Sequence, residues 1–246
     1  MKILFFGDVV GAIGRAGLAK TLPELRKKYS PDFVLANVEN LAHHKGVTTK
    51  TLRELVNLGI DGFTGGNHVW KKEDPYTAAK NTGAILVTPA NDERTVASQR
   101  LQVLTSKTGE KLAIASLVGR VFIVEEAKVT CPFHEADALL QTKIDAPLII
   151  DIHAEVTSEK VALGWYLDGR VAGVLGTHTH IQTADERILP EGTAYITDLG
   201  MVGAKDSVLG ITKELIVDKF LTDGPIIFDS PETGEVIVNA VLLNID

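Results

Sequence analysis

Short apolar runs closed by polar residues recur along the chain. Lys2-Ile3-Leu4-Phe5-Phe6 ends at Gly7-Asp8, Phe33 to Val38 ends at Glu39-Asn40, and Ile60 to Thr64 ends at Gly65-Gly66-Asn67-His68. Runs of this length bounded by turn residues predict strands, and the first of them reads as a buried one. Between them the spacing turns helical. Leu18, Leu22 and Leu25 mark a helix over Arg15 to Lys28 despite Pro23, and Leu52, Leu55 and Val56 mark one over Thr48 to Leu58 with Gly59 as its C-cap. A third helix is predicted from about Asp74 to Asn81.

The middle of the chain predicts strands over Ala84 to Thr88, Leu101 to Leu104 and Leu112 to Leu117, the last two antiparallel across a turn at Lys107-Thr108-Gly109-Glu110. Residues 120 to 135 lack periodicity and read as an irregular loop leading to a helix at about His134 to Thr142. A buried strand from Pro147 to Ile152 ends at His153-Ala154-Glu155, and a helix follows with Thr157 or Ser158 as N-cap. Val171 to Leu175 runs into Gly176-Thr177-His178-Thr179-His180. A loop over Ile181 to Leu189, a strand over Tyr195 to Asp198, a helix over Lys213 to Leu221 and a closing strand over Val236 to Ile245 complete the pattern. The alternation predicts an α/β fold of two stacked sheets covered by helices. With no linker and no internal repeat, residues 1–246 read as a single domain.

Composition narrows the function. A chain of 246 residues with 45% hydrophobic residues can bury its own core. The net charge of −7 without a basic run argues against binding a nucleic-acid backbone, so a small anionic substrate needs local positive charge. The single cysteine, Cys131, excludes an internal disulfide, and no stretch approaches the roughly 20 apolar residues of a membrane span. The expected location is the cytoplasm, with no membrane partner and with a homo-oligomer left open.

Candidate chemistry collects at the strand ends, where open α/β sheets place their sites. Asp8, Glu39, Asn40, Asn67, His68, His153, His178 and His180 all stand there. Gly7 to Gly14 does not make GxGxxG, and an aspartate in that loop would repel a phosphate. Adjacent Glu39 and Asn40 reach one site only if the strand exits through a turn. A strand period would place His178 and His180 on one side, able to share one ion. Asp151 and His153 also share a face, with His153 nearer the loop. His43 and His44 read equally as solvated loop residues or as functional ones, and Asp198 as a turn former, a substrate contact or a support for a ligand. Carboxylate, amide oxygen and imidazole without thiolate suit manganese, iron or zinc. The set is large enough for two metals bridged by a carboxylate, an arrangement that clamps both oxygens of a phosphoryl transfer.

The order of Gly7-Asp8, Glu39-Asn40, Gly66-Asn67-His68, His153 and Gly176 to His180 resembles the calcineurin-like metallophosphoesterases. Asp8-Val9-Val10 lacks the histidine of their usual DxH opening. With that departure the chain is similar to the bacterial YmdB-like branch, described as 2′,3′-cyclic-nucleotide phosphodiesterases. The resemblance runs from Gly7 to about Gly210. His44 stands where a glycine is expected and Cys131 where an acidic residue is. It implies a four-layer α/β/β/α sandwich of two mixed sheets flanked by helices. It implies that Asp8, Glu39, Asn40 and His180 hold one metal, iron or manganese before zinc, and that Glu39, Asn67, His153 and His178 hold the other. It further implies in-line attack by a metal-bridging hydroxide, His68 as general acid and His43 as a substrate contact. A phosphomonoesterase, and a nucleotide-sensing or RNA-associated regulator with weak turnover, are the alternative readings.

Overall fold

The computed structural model of the chain describes residues 1–123, 128–222, 224–225 and 229–246. The first sheet contains β1 (Lys2–Val9), β2 (Phe33–Asn37), β3 (Gly62–Thr64), β4 (Leu86–Val87), β11 (Met201–Ala204), β12 (Val236–Val238) and β13 (Ala240–Asn244). Its order is β12-β11-β1-β2-β3-β4, with β13 antiparallel to the first half of β1. The second contains β5 (Leu101–Thr105), β6 (Lys111–Val118), β7 (Leu148–His153), β8 (Gly173–Thr177), β9 (Arg187–Ile188) and β10 (Ala194–Ile196), in the order β5-β6-β7-β8-β10-β9. Both sheets mix parallel and antiparallel pairs.

Three apolar layers hold these sheets, and β1 shows how. Leu4 and Phe6 face α1 (Gly11–Tyr29), α2 (Thr49–Asn57) and α3 (Pro75–Thr82), packing with Leu18, Leu22, Leu52 and Leu55. Ile3 and Phe5, one position out of phase, face the second sheet and pack with Ile114, Ile149, Leu175 and Ile196. The far side of that sheet packs Ile150 and Ile152 against Ala136 and Leu163 of α4 (Pro132–Leu140) and α5 (Thr157–Tyr166). The four-layer expectation therefore holds, and the double burial is why the strands read as unbroken apolar runs. Helix starts follow local chemistry. Thr48 and Thr51 form a reciprocal capping box on α2, and Asp74 accepts from the Thr77 amide ahead of Pro75 on α3.

Several boundaries differ from expectation. The first helix starts already at Gly11, so no glycine loop separates it from β1. The fourth begins at Pro132, two residues ahead of His134, and residues 124–127 of the expected loop lie outside the described residues. On α5 the N-cap is Val156, without a side-chain bond, and neither Thr157 nor Ser158 caps it. Its Glu159 carboxylate instead accepts from the Arg120 and Val121 amides, because the loop leaving β6 passes over that helix end. The expected loop over Ile181 to Leu189 contains the short strand β9.

The predicted closing strand is two strands. The first part, β12, pairs with β11, Asn239 intervenes, and β13 pairs with β1. The partner change occurs at Gly7, where a Cβ would stand 2.0 Å from Gly200 O, so only glycine lets the crossover from the second sheet pass. Helix α6 (Lys213–Thr222) lies near the predicted limits. Among the described residues no helix is long and apolar enough to cross a membrane.

Candidate metal centre

The carboxyl ends of β1, β2 and β3 face those of β7 and β8, and the strand-end residues meet there. Asp8 is fully buried at the end of β1. Past β2, Asn37 Oδ1 accepts from the Glu39 amide at 3.1 Å and turns the chain, so that Glu39 and Asn40 both face the site, as their adjacency requires. Past β3, the amide of His68 donates to Glu39 Oε2 at 2.9 Å. Gly66 makes this approach feasible, since a Cβ there would lie 2.3 Å from both Glu39 Oε2 and His153 Cδ2.

The two histidines of the GTHTH stretch correct the strand reading. The eighth strand ends at Thr177, and His178 and His180 have φ of 103° and 64°, so the alternation of a strand does not apply to them. They face different partners. His178 Nδ1 lies 3.0 Å from His153 Nε2, whereas His180 Nε2 lies 3.1 Å from Asn40 Nδ2 and 3.7 Å from Asp8 Oδ1.

Two groups of donors result. In the first, His153 Nε2 is 3.0 Å from His178 Nδ1 and 3.1 Å from both Asn67 Oδ1 and Glu39 Oε2. Ligand atoms of Glu39, His153 and His178 all lie within 4.8 Å of one another, a span one cation can fill. In the second, Asp8 Oδ1, Glu39 Oε1 and His180 Nε2 surround Asn40 Nδ2 at 3.3, 3.1 and 3.1 Å. An amide nitrogen has two protons for these three acceptors, whereas a cation would satisfy all of them.

Charge points the same way. Burial lowers the basicity of His153, but Glu39, by charge and hydrogen bond, and then Asp8 and Asp151 push its pKa up to about 9. Burial and the neighbouring charge on His153 push His178 down to about 3. Burial opposes ionisation of Glu39, yet His153 and His68 hold its carboxyl well below the usual range. The pocket thus favours positive charge between its carboxylates, and its oxygen and imidazole donors suit a divalent transition metal.

His68 stands differently. Its buried Nδ1 is 3.3 Å from Glu39 Oε1, near enough for attraction but off the hydrogen-bond direction. The side chain is 25% exposed, and none of that exposure is at Nδ1. His43 and His44 both have left-handed φ, of 51° and 69°. His43 is exposed, while His44 is bonded to Ser230, and burial together with the charge of His180 lowers its pKa.

Further residues back these donor side chains, Asp151 and Asp198 among them. His153 Nδ1 pairs with Thr177 Oγ1 at 2.8 Å, and that hydroxyl donates to Asp151 Oδ1 at 2.6 Å. Asp151 Oδ2 accepts from Thr64 at 2.5 Å and Asn37 at 2.9 Å, which ties the sheets together. Burial pushes the Asp151 carboxyl up to about 6 against these bonds and the charge of His153. Of the face-sharing pair, His153 enters the site and Asp151 stands behind it. His180 Nδ1 lies 2.9 Å from Leu209 O. Asp198, on the crossover between the sheets, bonds Lys160 and Thr179 and so holds the residue between the two histidines.

Thr177→Val should show what the hydroxyl contributes. It leaves His153 Nδ1 without its partner and removes one of the donors to Asp151, at a cost of about 1–3 kcal/mol. Urea denaturation of the metal-free protein measures it, and an unchanged midpoint would show that the hydroxyl is dispensable.

Residues 4–246 match the family model described as "YmdB-like protein". The chain is 44% identical over 248 residues to the 2′,3′-cyclic-nucleotide 2′-phosphodiesterase of Bacillus subtilis (strain 168), covering 100% of this chain and 92% of that protein. The crystal structure of a novel phosphatase from Mycoplasma pneumoniae superimposes with a TM-score of 0.89 at 35% identity, covering 98% of this chain and 86% of that one. The calcineurin-like phosphoesterase YfkN from Bacillus subtilis, at 12% identity, shares the fold with a TM-score of 0.53 over 75% of this chain and 73% of its own.

Proposed function

The chain belongs to the YmdB-like family, and from that membership and the site geometry we propose that it hydrolyses small phosphodiesters, 2′,3′-cyclic nucleotides first among them, at a two-metal centre. The observation that carries the proposal is Glu39. Its Oε2 faces His153 and its Oε1 faces Asn40, so one carboxylate stands at the seam between two donor groups. Asp8, Glu39, Asn40 and His180 would hold one ion, and Glu39, Asn67, His153 and His178 the other. A half-turn of the Asn40 amide brings its Oδ1 to the place Nδ2 takes here. Iron or manganese fits this donor set best, then zinc. The ions, when bound, supply an activated water and charge that stabilises the phosphoryl oxygens.

The chain's own residues do the remaining work. His68 is anchored by its backbone amide on Glu39, and its side chain is partly exposed away from the buried Nδ1. From there it delivers a proton to the oxygen leaving phosphorus, the 2′-oxygen if this chain follows its Bacillus subtilis relative. His43, exposed on the loop after Asn40, contacts the substrate beyond the phosphate. The cytoplasm is the location that suits a chain with a single cysteine.

His68→Ala keeps the backbone bond to Glu39 and removes only the ring. Its kcat on 2′,3′-cyclic AMP should fall about 10²- to 10⁴-fold with metal content unchanged. Undiminished turnover by a folded, metal-loaded variant refutes the acid role. The phosphatase relative makes monoester hydrolysis the competing reading, and faster turnover of a nucleoside 3′-monophosphate than of the cyclic diester would favour it.

A further inference from the structure

Two of the three imidazoles facing the donor groups have their other nitrogen hydrogen-bonded, and the third has its other nitrogen beside a carboxylate. His153 Nδ1 meets Thr177 Oγ1 at 2.8 Å and His180 Nδ1 meets Leu209 O at 2.9 Å. The third is His178, whose Nε2 lies 3.0 Å from Glu155 Oε2. We propose that Glu155 is a positioning residue that fixes His178 with its proton on Nε2 and its Nδ1 lone pair directed into the site. The proposal rests on the metal-centre reading above.

The geometry leaves His178 one way to serve. Its ring stands edge to face with His153, centroids 4.7 Å apart and planes at 80°, and the nitrogen on that side is Nδ1. Its backbone is held separately, by donation of the His178 amide to Asp8 Oδ2 at 3.2 Å. With the main chain fixed, the ring retains rotation and a choice of tautomer. A carboxylate 3.0 Å from Nε2 draws the proton to that nitrogen and favours this ring orientation, and its charge makes the Nδ1 lone pair more basic. Glu155 comes from the same β7 exit as His153, two residues on, so one strand end supplies an inner ligand and the outer support of its neighbour. The three acceptors differ in kind. Thr177 is fully buried and Leu209 contributes a carbonyl, whereas Glu155 is charged and 50% exposed, which makes it the support most open to substitution.

The test uses the metal-free full-length protein and Zn²⁺ alone as probe. Wild type, Glu155→Ala and Glu155→Gln are titrated against a competing chelator, and the ¹⁵N shifts of His178 are read without metal and with zinc. Wild type should take up two ions with His178 protonated on Nε2. Glu155→Ala should weaken one of the two binding steps about 10- to 100-fold and show mixed tautomers without metal. Glu155→Gln, whose amide oxygen offers an acceptor at the same place, should recover most of the affinity and the single tautomer. Wild-type affinity and tautomer in Glu155→Ala overturn the proposal while leaving the metal centre standing. A rise in KM alone, with zinc binding unchanged, assigns Glu155 to the substrate and also overturns it. Absence of zinc binding by wild type overturns the metal-centre reading, and this inference with it.

Discussion

Glu39→Gln should lose metal and turnover together. Glu39 is 1% exposed, and both of its oxygens are engaged: Oε2 accepts from the His68 amide and faces His153, and Oε1 accepts from Asn40. Glutamine keeps the volume but replaces one oxygen with an amide group that can only donate. Whichever way that group turns, it meets a donor, the His68 amide on one side or Asn40 Nδ2 on the other. The substitution also removes the negative charge shared by the two donor groups. Loss of the metals' several kcal/mol of charge stabilisation corresponds, at about 1.4 kcal/mol per decade, to a fall in kcat on the order of 10³-fold or more. Metal analysis and turnover on one sample check it. A variant holding two ions per chain and working within tenfold of wild type would falsify the bridging role.

Asp198→Ala should carry the largest stability cost. Lys160 Nζ donates to Asp198 Oδ2 at 2.6 Å, with both side chains buried. The same oxygen accepts from Thr179 N at 3.0 Å and Thr179 Oγ1 at 2.8 Å, and Oδ1 accepts from Gly200 N at 2.8 Å. Alanine leaves a buried ammonium uncompensated and three further donors without their acceptor. Breaking such a pair from one side costs about 3–5 kcal/mol, because the remaining charge cannot reach water. For a chain of this size that is a fall in Tm of roughly 6 to 20 °C, best measured without metal so that bound ions do not mask it. Zinc affinity should fall as well, since Thr179 lies between His178 and His180. The double variant Lys160→Met with Asp198→Asn, which removes both charges and keeps an amide oxygen for Thr179, should recover much of the loss. A shift below about 2 °C for the alanine variant would mean that other contacts hold the crossover.

The strand ends were legible because of how the strands are buried. Phe33 to Ala36 is apolar on both faces since helices cover one and the second sheet the other, so the polar residues that follow such a run mark the carboxyl edge of the sheet. That is enough to bring Asp8, Glu39, Asn67, His68, His153 and the GTHTH stretch to one rim, and their order carried the family resemblance. The paired glycines before Asn67 also announced a close approach, which Gly66 makes to Glu39 and His153.

Periodicity failed where the chain leaves regular structure or changes sheet. The strand-based pairing of His178 with His180 breaks down because both adopt positive φ, and their rings meet partners from other segments: His153 and Glu155 for His178, Asp8 and Leu209 for His180. The single strand expected over Val236 to Ile245 divides because β1 exchanges β13 for β11 at Gly7, a decision made on the neighbouring strand. Lys160 gives no sign of its role on its own helix, and Asp198, though readable as a support for a ligand, does not reveal from its own turn that Lys160 and Thr179 are its partners. The amino-acid order by itself determined which residues reach the rim, since that follows from local apolar runs and their ends. Only the tertiary structure decided which atoms face one another there, because Asn37 meets Asp151, and Lys160 meets Asp198, across separations that no local period spans.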